Sequence, residues 1–388
     1  MFHHRGYSST GSYPRKCDHA NYFKLETSKA ATFSIVNVIK SHSRRLRSLQ
    51  LDAGANTLKR ITDSMDCSQL FRLQIRLEGE KPSGRKFVMR MPKANPTYLT
   101  LIKCSSRSIR IGRDNLTNAM VDVLSVNKCI ELLRLAPVLE YFHVVKCIET
   151  SRNIHVNGFQ VLVHLRLRSL NLPISLPKTF LESINLPSLT EWKQHMGSQP
   201  IPVAAMLSLL ERSRCCLEAL TLYGIPPPAE ALSDLLQEIP SIERLCLSFD
   251  LKWIQDTVLM DNILTRIFHK IPISSADAAT PKSFLPHLQI IDCQSYNDEH
   301  IPLFSWKPIP EHYREGRRRS LRLKSAAFKR YMTAETALQL IQLVDEGVDL
   351  QITDKETGLD FIEECRNLTR KQPHSLVTLA RKLITNLK

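Results

Sequence analysis

Apolar residues recur along this chain in a spacing that fits neither a helix, with its period of 3.6, nor a strand, with its period of two. "LEALTL", starting at Leu217, sets leucines as L-x-x-L-x-L. The pattern also starts at Leu46 ("LRSLQL"), Leu70 ("LFRLQI"), Leu139 ("LEYFHV") and Leu162 ("LVHLRL"). Further copies start at Leu189 ("LTEWKQ"), Ile242 ("IERLCL") and Leu288 ("LQIIDC"), with a weaker one, "SRSIRI", at Ser106. Successive copies lie 24, 36, 33, 23, 27, 28, 25 and 46 residues apart, and the larger spacings read as insertions into a repeating unit.

A second regularity accompanies the first. Pro137, Pro187, Pro240 and Pro286 each stand two residues before the first apolar position of a unit. Proline cannot continue a helix, so it stops one and passes the chain into extended structure. Helical periodicity lies upstream in "NAMVDVLSVNKCIELLRLA", "VAAMLSLLERS" and "AEALSDLLQEI". The unit therefore reads helix, proline stop, L-x-x-L-x-L. The last two apolar positions belong to a short strand and point inward, while the first fills the same core from the turn. One unit cannot bury its own apolar face, whereas stacked neighbours can. The predicted fold is α/β, an irregular leucine-rich-repeat solenoid with a curved parallel sheet inside and helices outside. Leu165, Leu167, Leu220, Leu222, Leu245 and Leu247 are its expected core.

Residues 1–28 are expected to be a disordered or loosely packed tail, and residues 29–301 one repeat array. Two polar insertions interrupt the array, "EGEKPSGRKFVMRMPKANPT" and "HKIPISSADAATPKSF". Residues 302–332 are an irregular basic segment. Residues 333–388 add a last helix–strand element, with Gly347 as helix C-cap and Val348, Leu350 and Ile352 on the strand. The amphipathic segments "LDFIEECRNL" and "SLVTLARKLITNL" are expected to cap the open core edge.

The units "LAPVLEYFHV" and "LPSLTEW", the start "HSRRLRSLQL" and the close "LQLIQLVDEGVDLQITD" resemble the leucine-rich-repeat region of the fungal F-box protein family. The likeness spans about residues 30–365. It implies an adaptor that presents substrates to a cullin ubiquitin ligase. Regular repeats carry Asn or Cys three residues after the last apolar position; here Cys147 alone does, after Val144. An F-box resembles L-P-x-E-L-L-x-x-I-F followed by C-R-x-W, and no stretch before Leu46 matches it. The expectation is that this chain by itself does not bind the Skp-type adaptor of such ligases.

Charge and chemistry narrow the picture further. Lys plus Arg number 53 and Asp plus Glu 38, a net charge of +15 that favours an acidic partner. A protein with an acidic surface is the expected partner, with nucleic acid as the alternative. No small-molecule substrate or cofactor is implied. No apolar run approaches the roughly 18 residues of a membrane span, and no signal-peptide core is present. An intracellular protein, of cytoplasm or nucleus, is expected. The ten cysteines are scattered without a C-x-x-C pair and read as buried thiols.

No phosphate-cradling glycine loop, nucleophile elbow or zinc-protease motif occurs, so no enzyme is expected. Cys104 and Arg110 have the C-x5-R spacing of a phosphatase loop, but Lys103 replaces the usual His. His3, His4, Cys17 and His19 lack paired metal-ligand spacing. "HYREGRRRSLRLKSAAFKRY" is a basic run that fits a solvated face, an import signal or a kinase site at Ser320.

The binding residues are then those that alternate outward from the strands, the third, fifth and seventh positions of each unit. They include Arg72, Arg76, Arg110, Arg166, Arg168, Lys193 and Arg244, against the acidic Asp52, Glu191 and Asp292. His143, His164 and His195 add polar surface, and Tyr141 and Tyr223 offer aromatic anchors. Arg166 and Arg168 are expected near the centre of this surface.

Overall fold

Several units turn on one backbone hydrogen bond. The N–H of Leu139 donates to the Ala136 carbonyl at 3.1 Å, Leu189 to Leu186 at 3.1 Å, Ile242 to Ile239 at 3.3 Å and Leu288 to Leu285 at 3.2 Å. Pro137, Pro187, Pro240 and Pro286 are the second residue of these turns, where their fixed φ is already the one required. Leu70 closes the same turn on Cys67 with Ser68 in place of proline. The turn drops the first apolar residue into the core: Leu139, Leu189 and Ile242 are fully buried.

The computed structural model describes residues 22–26, 32–63, 65–78, 88–104, 108–148, 161–173, 178–200, 202–225, 227–249, 284–295, 320–325, 334–354 and 358–371. These fall into two compact units, divided between Asn115 and Leu116.

The first unit contains the strands β1 (Tyr22–Glu26), β2 (Ser48–Ala53), β3 (Arg72–Leu77), β4 (Met89–Arg90), β5 (Tyr98–Ile102) and β6 (Ile109–Arg110). Its helices are α1 (Thr32–His42) and α2 (Ala55–Thr62). β1, β2, β3 and β5 run parallel in that order, with Leu49 level with Leu73 and Leu99. β4 and β6 form a separate parallel pair. Two expectations change here. Strand β1 lies within the segment expected to be a tail. The third copy of the repeat is not "SRSIRI" but "PTYLTL" at Pro96–Leu101, because β5 and not β6 pairs with β3.

The second unit contains the strands β7 (Asn118–Ser125), β8 (Tyr141–Ile148), β9 (Leu162–Val163), β10 (Ser169–Leu172) and β11 (Ile184–Asn185). These are followed by β12 (Glu191–Pro200), β13 (Ala219–Ile225), β14 (Arg244–Phe249), β15 (Ile290–Ser295), β16 (Ser320–Ser325) and β17 (Asp349–Asp354). Its helices are α3 (Val126–Leu135), α4 (Lys178–Glu182), α5 (Val203–Ser213), α6 (Ala229–Gln237), α7 (Ala334–Asp345) and α8 (Phe361–Lys371). A parallel sheet runs β7-β8-β10-β12-β13-β14-β15-β16-β17, each strand beside the next in sequence, while β9 pairs with β11 alone. Parallel neighbours need a crossover, and helices α3 to α6 supply several, packing α3 on α4, α4 on α5 and α5 on α6.

One ladder ties successive coils together. The Thr117 carbonyl accepts the N–H groups of Glu140 and Tyr141, and the Glu140 carbonyl those of Arg168 and Ser169. Arg168, Thr190, Glu218 and Glu243 repeat the pattern onto the following coil. Ser188 Oγ reaches back to the Leu165 carbonyl at 2.6 Å and Ser241 Oγ to that of Leu217 at 2.9 Å.

Inward rows form the core. Ala119, Phe142, Leu170, Trp192, Leu220, Leu245 and Ile291 lie side by side on adjacent strands and are buried. The expected core holds for Leu167, Leu220, Leu222, Leu245 and Leu247. It fails for Leu165, which is 69% exposed. The coil there is "LRSLNL" at Leu167–Leu172, five residues later than expected, because β10 takes its register from Tyr141 and Glu191. The expected helix at "NAMVDVLSVNKCIELLRLA" is also corrected: its first half is β7 and only Val126–Leu135 is helical.

At the far end Gly347, at φ +91°, ends α7, and Val348 donates to the Leu343 carbonyl at 3.0 Å, an arrangement that satisfies the last carbonyls of a helix. β16 lies inside the segment expected to be irregular. The basic run around it, the insertion at residues 269–283, the segment "SLVTLARKLITNL" and the His3, His4, Cys17 and His19 group lie outside the described residues.

Candidate functional site

Of the twelve proposed surface residues, six lie together within the second unit. Arg72 and Arg76 belong to the first unit. The Arg72 guanidinium stands 5.3 Å from the ring centre of Tyr98, and Arg76 reaches the carboxylate of Asp52 at 3.6 Å. Arg110 is on β6, away from the main strands. The five-residue shift at β10 removes three more from the outward rows. Arg166 precedes the coil, and Arg168 is its second residue, whose carbonyl serves the ladder. His164 is buried at 4% exposure and works inside the fold. Its Nε2 meets the Ala136 carbonyl at 3.0 Å, and its Nδ1 accepts the Leu167 N–H at 3.1 Å.

The other six converge on the outward face of β8 to β14. Register places Tyr141, Ser169, Glu191, Ala219 and Arg244 in one row. His143, Asn171, Lys193, Thr221 and Cys246 form the next. His195 and Tyr223 are level one pleat further on. Their rings stack 4.3 Å apart and 9° from parallel.

Glu191 organises the centre. It accepts from Ser169 Oγ at 2.8 Å and from Lys193 Nζ at 2.8 Å. Burial opposes its ionisation, but these two hydrogen bonds and the charges of Lys193 and Arg244 outweigh burial and hold the carboxyl below its usual range. Burial pushes His143 down to about 4, helped by the Lys193 charge. Burial also pushes His195 down to about 4, helped by His143 and Lys193. Both imidazoles are therefore neutral at physiological pH, each with one donor and one acceptor.

Two residues that sequence reasoning passed over belong to this site. Asn171 occupies an outward position of β10, and its Oδ1 is buried without a hydrogen-bond partner. Gln194 stands in the inward row where other coils carry Leu172, Leu222 or Leu247, and is fully buried. Its Nε2 donates to the carbonyls of Pro173 and His195 at 3.2 Å each, tying the end of β10 to the middle of β12. A polar residue at an apolar position of the repeat was the available signal for Gln194.

The other chemical candidates find no support here. Burial pushes the Cys104 thiol up to about 11, so no thiolate forms at neutral pH, and Arg110 beyond it is exposed on a strand. Cys147 hydrogen-bonds Cys129 of α3, which with burial holds the Cys129 thiol protonated. Among the described residues no group of three His, Cys, Asp or Glu is placed to hold a metal ion. Among them, too, no helix is long and apolar enough to cross a membrane. No protein-family model matches the chain, and comparison with curated proteins gives no match.

Proposed function

We propose that this chain is a leucine-rich-repeat-type solenoid that acts as a protein–protein recognition module through the outward face of β8 to β14. The observation that carries the reading is the convergence of Tyr141, His143, Lys193, His195, Tyr223 and Arg244 on the outward face of neighbouring strands β8, β12, β13 and β14, with β10 between the first two. Tyrosine and arginine are favoured at interface centres because they bury area and still hydrogen-bond. The face is nearly charge-balanced, since Lys193 bonds Glu191. The acidic partner surface expected from the net charge of +15 would thus meet Arg244 rather than Lys193. The wider role, substrate recognition for an F-box-type ubiquitin ligase, is supported by the likeness of units such as "LPSLTEW" to that family.

The test is quantitative capture of interacting proteins by the full chain and by the double variant Tyr223→Ala with Arg244→Glu. Partners held by this face should drop at least tenfold while the circular dichroism spectrum stays the same. Undiminished capture by the variant removes the face from the reading. The basic excess favours one rival, nucleic-acid binding. Tight binding of random duplex DNA that weakens steeply with salt, without any protein partner, would establish it instead.

A further inference from the structure

We propose that the first unit binds single-stranded nucleic acid at the entry of β3 and β5, with Phe71 and Tyr98 as base-stacking rings and Arg47 and Arg72 as phosphate contacts. It is a second activity, separate from the protein recognition read above for β8 to β14.

The charge of the chain is unevenly shared. Residues 1–115 hold 22 Lys and Arg against 8 Asp and Glu, a net charge of +14, whereas residues 116–388 hold 31 against 30, a net charge of +1. Nearly the whole basic excess therefore belongs to the first unit, outside the face assigned to protein recognition. Charge concentrated in this way draws polyanions from solution.

The sheet of the first unit carries a feature that such a ligand can use. The N–H groups of Phe71 and Arg72 donate to the Arg47 carbonyl, and those of Thr97 and Tyr98 to the Phe71 carbonyl, which sets Arg47 and Phe71 at the entry of adjacent strands. Phe71 is 49% exposed. The other residues whose carbonyls serve this ladder, from Arg47 and Thr117 to Glu218 and Glu243, are all polar, so the repeat does not call for an apolar side chain there. Register puts Tyr98 level with Arg72 and Ser48. The Phe71 and Tyr98 ring centres lie 5.0 Å apart with the planes tilted by 58°, and the Arg72 guanidinium stands 5.3 Å from the Tyr98 ring centre. That contact holds the cation beside the rings without using up any of its hydrogen-bond donors. Arg47 and Arg72 are exposed. The next row, Gln50, Gln74 and Thr100, is uncharged. The one acid on the outward rows of β2, β3 and β5 is Asp52, which is buried and faces Arg76 at 3.6 Å.

These features choose among polyanions. An acidic peptide answers the charge but not the exposed rings. An anionic bilayer needs a broad apolar surface to insert, and the rows beside these two rings are arginine and uncharged polar residues. Duplex nucleic acid offers phosphates but keeps its bases stacked on one another. An unpaired strand offers phosphates to the arginines and base faces to the rings, and stacking tolerates any sequence because every base has a flat face. Arginine suits the phosphate because its planar fork takes two oxygens at once.

The experiment measures the fluorescence anisotropy of labelled oligo-dT, oligo-U and a duplex of the same length on the full chain as potassium chloride is raised. Both single strands should bind. Phe71→Ala should weaken them at least fivefold without changing the slope of log affinity on log salt, and should leave duplex binding as it was. The double variant Arg47→Gln with Arg72→Gln should flatten that slope by about 1.4, two phosphates at roughly 0.7 each. Circular dichroism checks the fold of each variant, and Phe71→Gln, the polar kind of residue found elsewhere in the ladder, serves if Phe71→Ala does not fold. The inference is overturned if neither strand binds, if the strands ignore the Phe71 variant, or if the arginine variant keeps the full slope. It is also overturned if polyglutamate or phosphatidylserine vesicles, rather than the strands, are the ligands lost with these variants. Failure here leaves the protein-recognition reading standing, since the two surfaces share no residue.

Discussion

Leu170→Ala and Leu165→Ala should differ sharply, although both remove the same atoms from leucines five residues apart. Leu170 is fully buried, and its register neighbours are Phe142 and Trp192, also fully buried. Removing its side chain beyond Cβ forfeits about 2.4 kcal/mol of transfer free energy, at roughly 0.8 kcal/mol per methylene-sized group. Two large rings flank the site and cannot collapse far, so a cavity contribution of about 1–2 kcal/mol adds to it. The expected loss is about 3.5–4.5 kcal/mol. Leu165 is 69% exposed, and its removal should stay within about 0.5 kcal/mol. Urea denaturation followed by tryptophan fluorescence measures both, provided the slope with denaturant is unchanged. If Leu165→Ala costs as much as Leu170→Ala, the strand runs through "LVHLRL", the outward face is redrawn, and Arg166 and Arg168 return to it.

Three further outcomes follow from the same geometry. His164→Ala should cost about 2–3 kcal/mol in the same assay, since it unpairs the buried Ala136 carbonyl and the Leu167 N–H; a neutral result means the imidazole is no bridge. His143 and His195 have folded values near 4, below the ordinary 6.5, so the unfolded chain takes up protons first as pH falls. The stability they contribute is complete above about pH 6.5 and is lost progressively down to about pH 4. The His143→Gln, His195→Gln double variant should therefore show a flatter urea midpoint between pH 7 and pH 5 than the parent, and equal slopes would contradict the burial of these rings. Gln194→Leu should keep the fold but release the Pro173 and His195 carbonyls, and NMR shifts of the His195 ring should report the change.

How far the sequence carried the fold depends on what each coil places at its first apolar position. The coils at Leu46, Leu70, Leu139, Leu189, Leu217, Ile242 and Leu288 announce themselves with a branched aliphatic residue, and their strands pair in the register the spacing implies. The coil at Pro96 hides because proline stands at that position, and "SRSIRI" took its place. The coil at Leu116 hides because "NAMVDVLS" runs into α3 with no proline or glycine between, so helical spacing fits across the junction. At β10 the stretch "LVHLRLRSLNL" contains L-x-x-L-x-L twice, at Leu162 and at Leu167, and local pattern cannot separate them. Long-range partners decide it: the Glu140 carbonyl takes the Arg168 and Ser169 N–H groups, and His164 anchors to Ala136. Within the second unit, the corrected coils start 23, 28, 22, 28 and 25 residues apart from Leu116 to Ile242. The same slip governed the site. With the coil placed at Leu162, the outward residues were His164, Arg166 and Arg168, long and charged enough to resemble a binding patch. With it placed at Leu167 they become Ser169 and Asn171, short residues that draw no attention in sequence. A five-residue change of register thus replaces an expected row of His164, Arg166 and Arg168 with the short, buried Ser169 and Asn171.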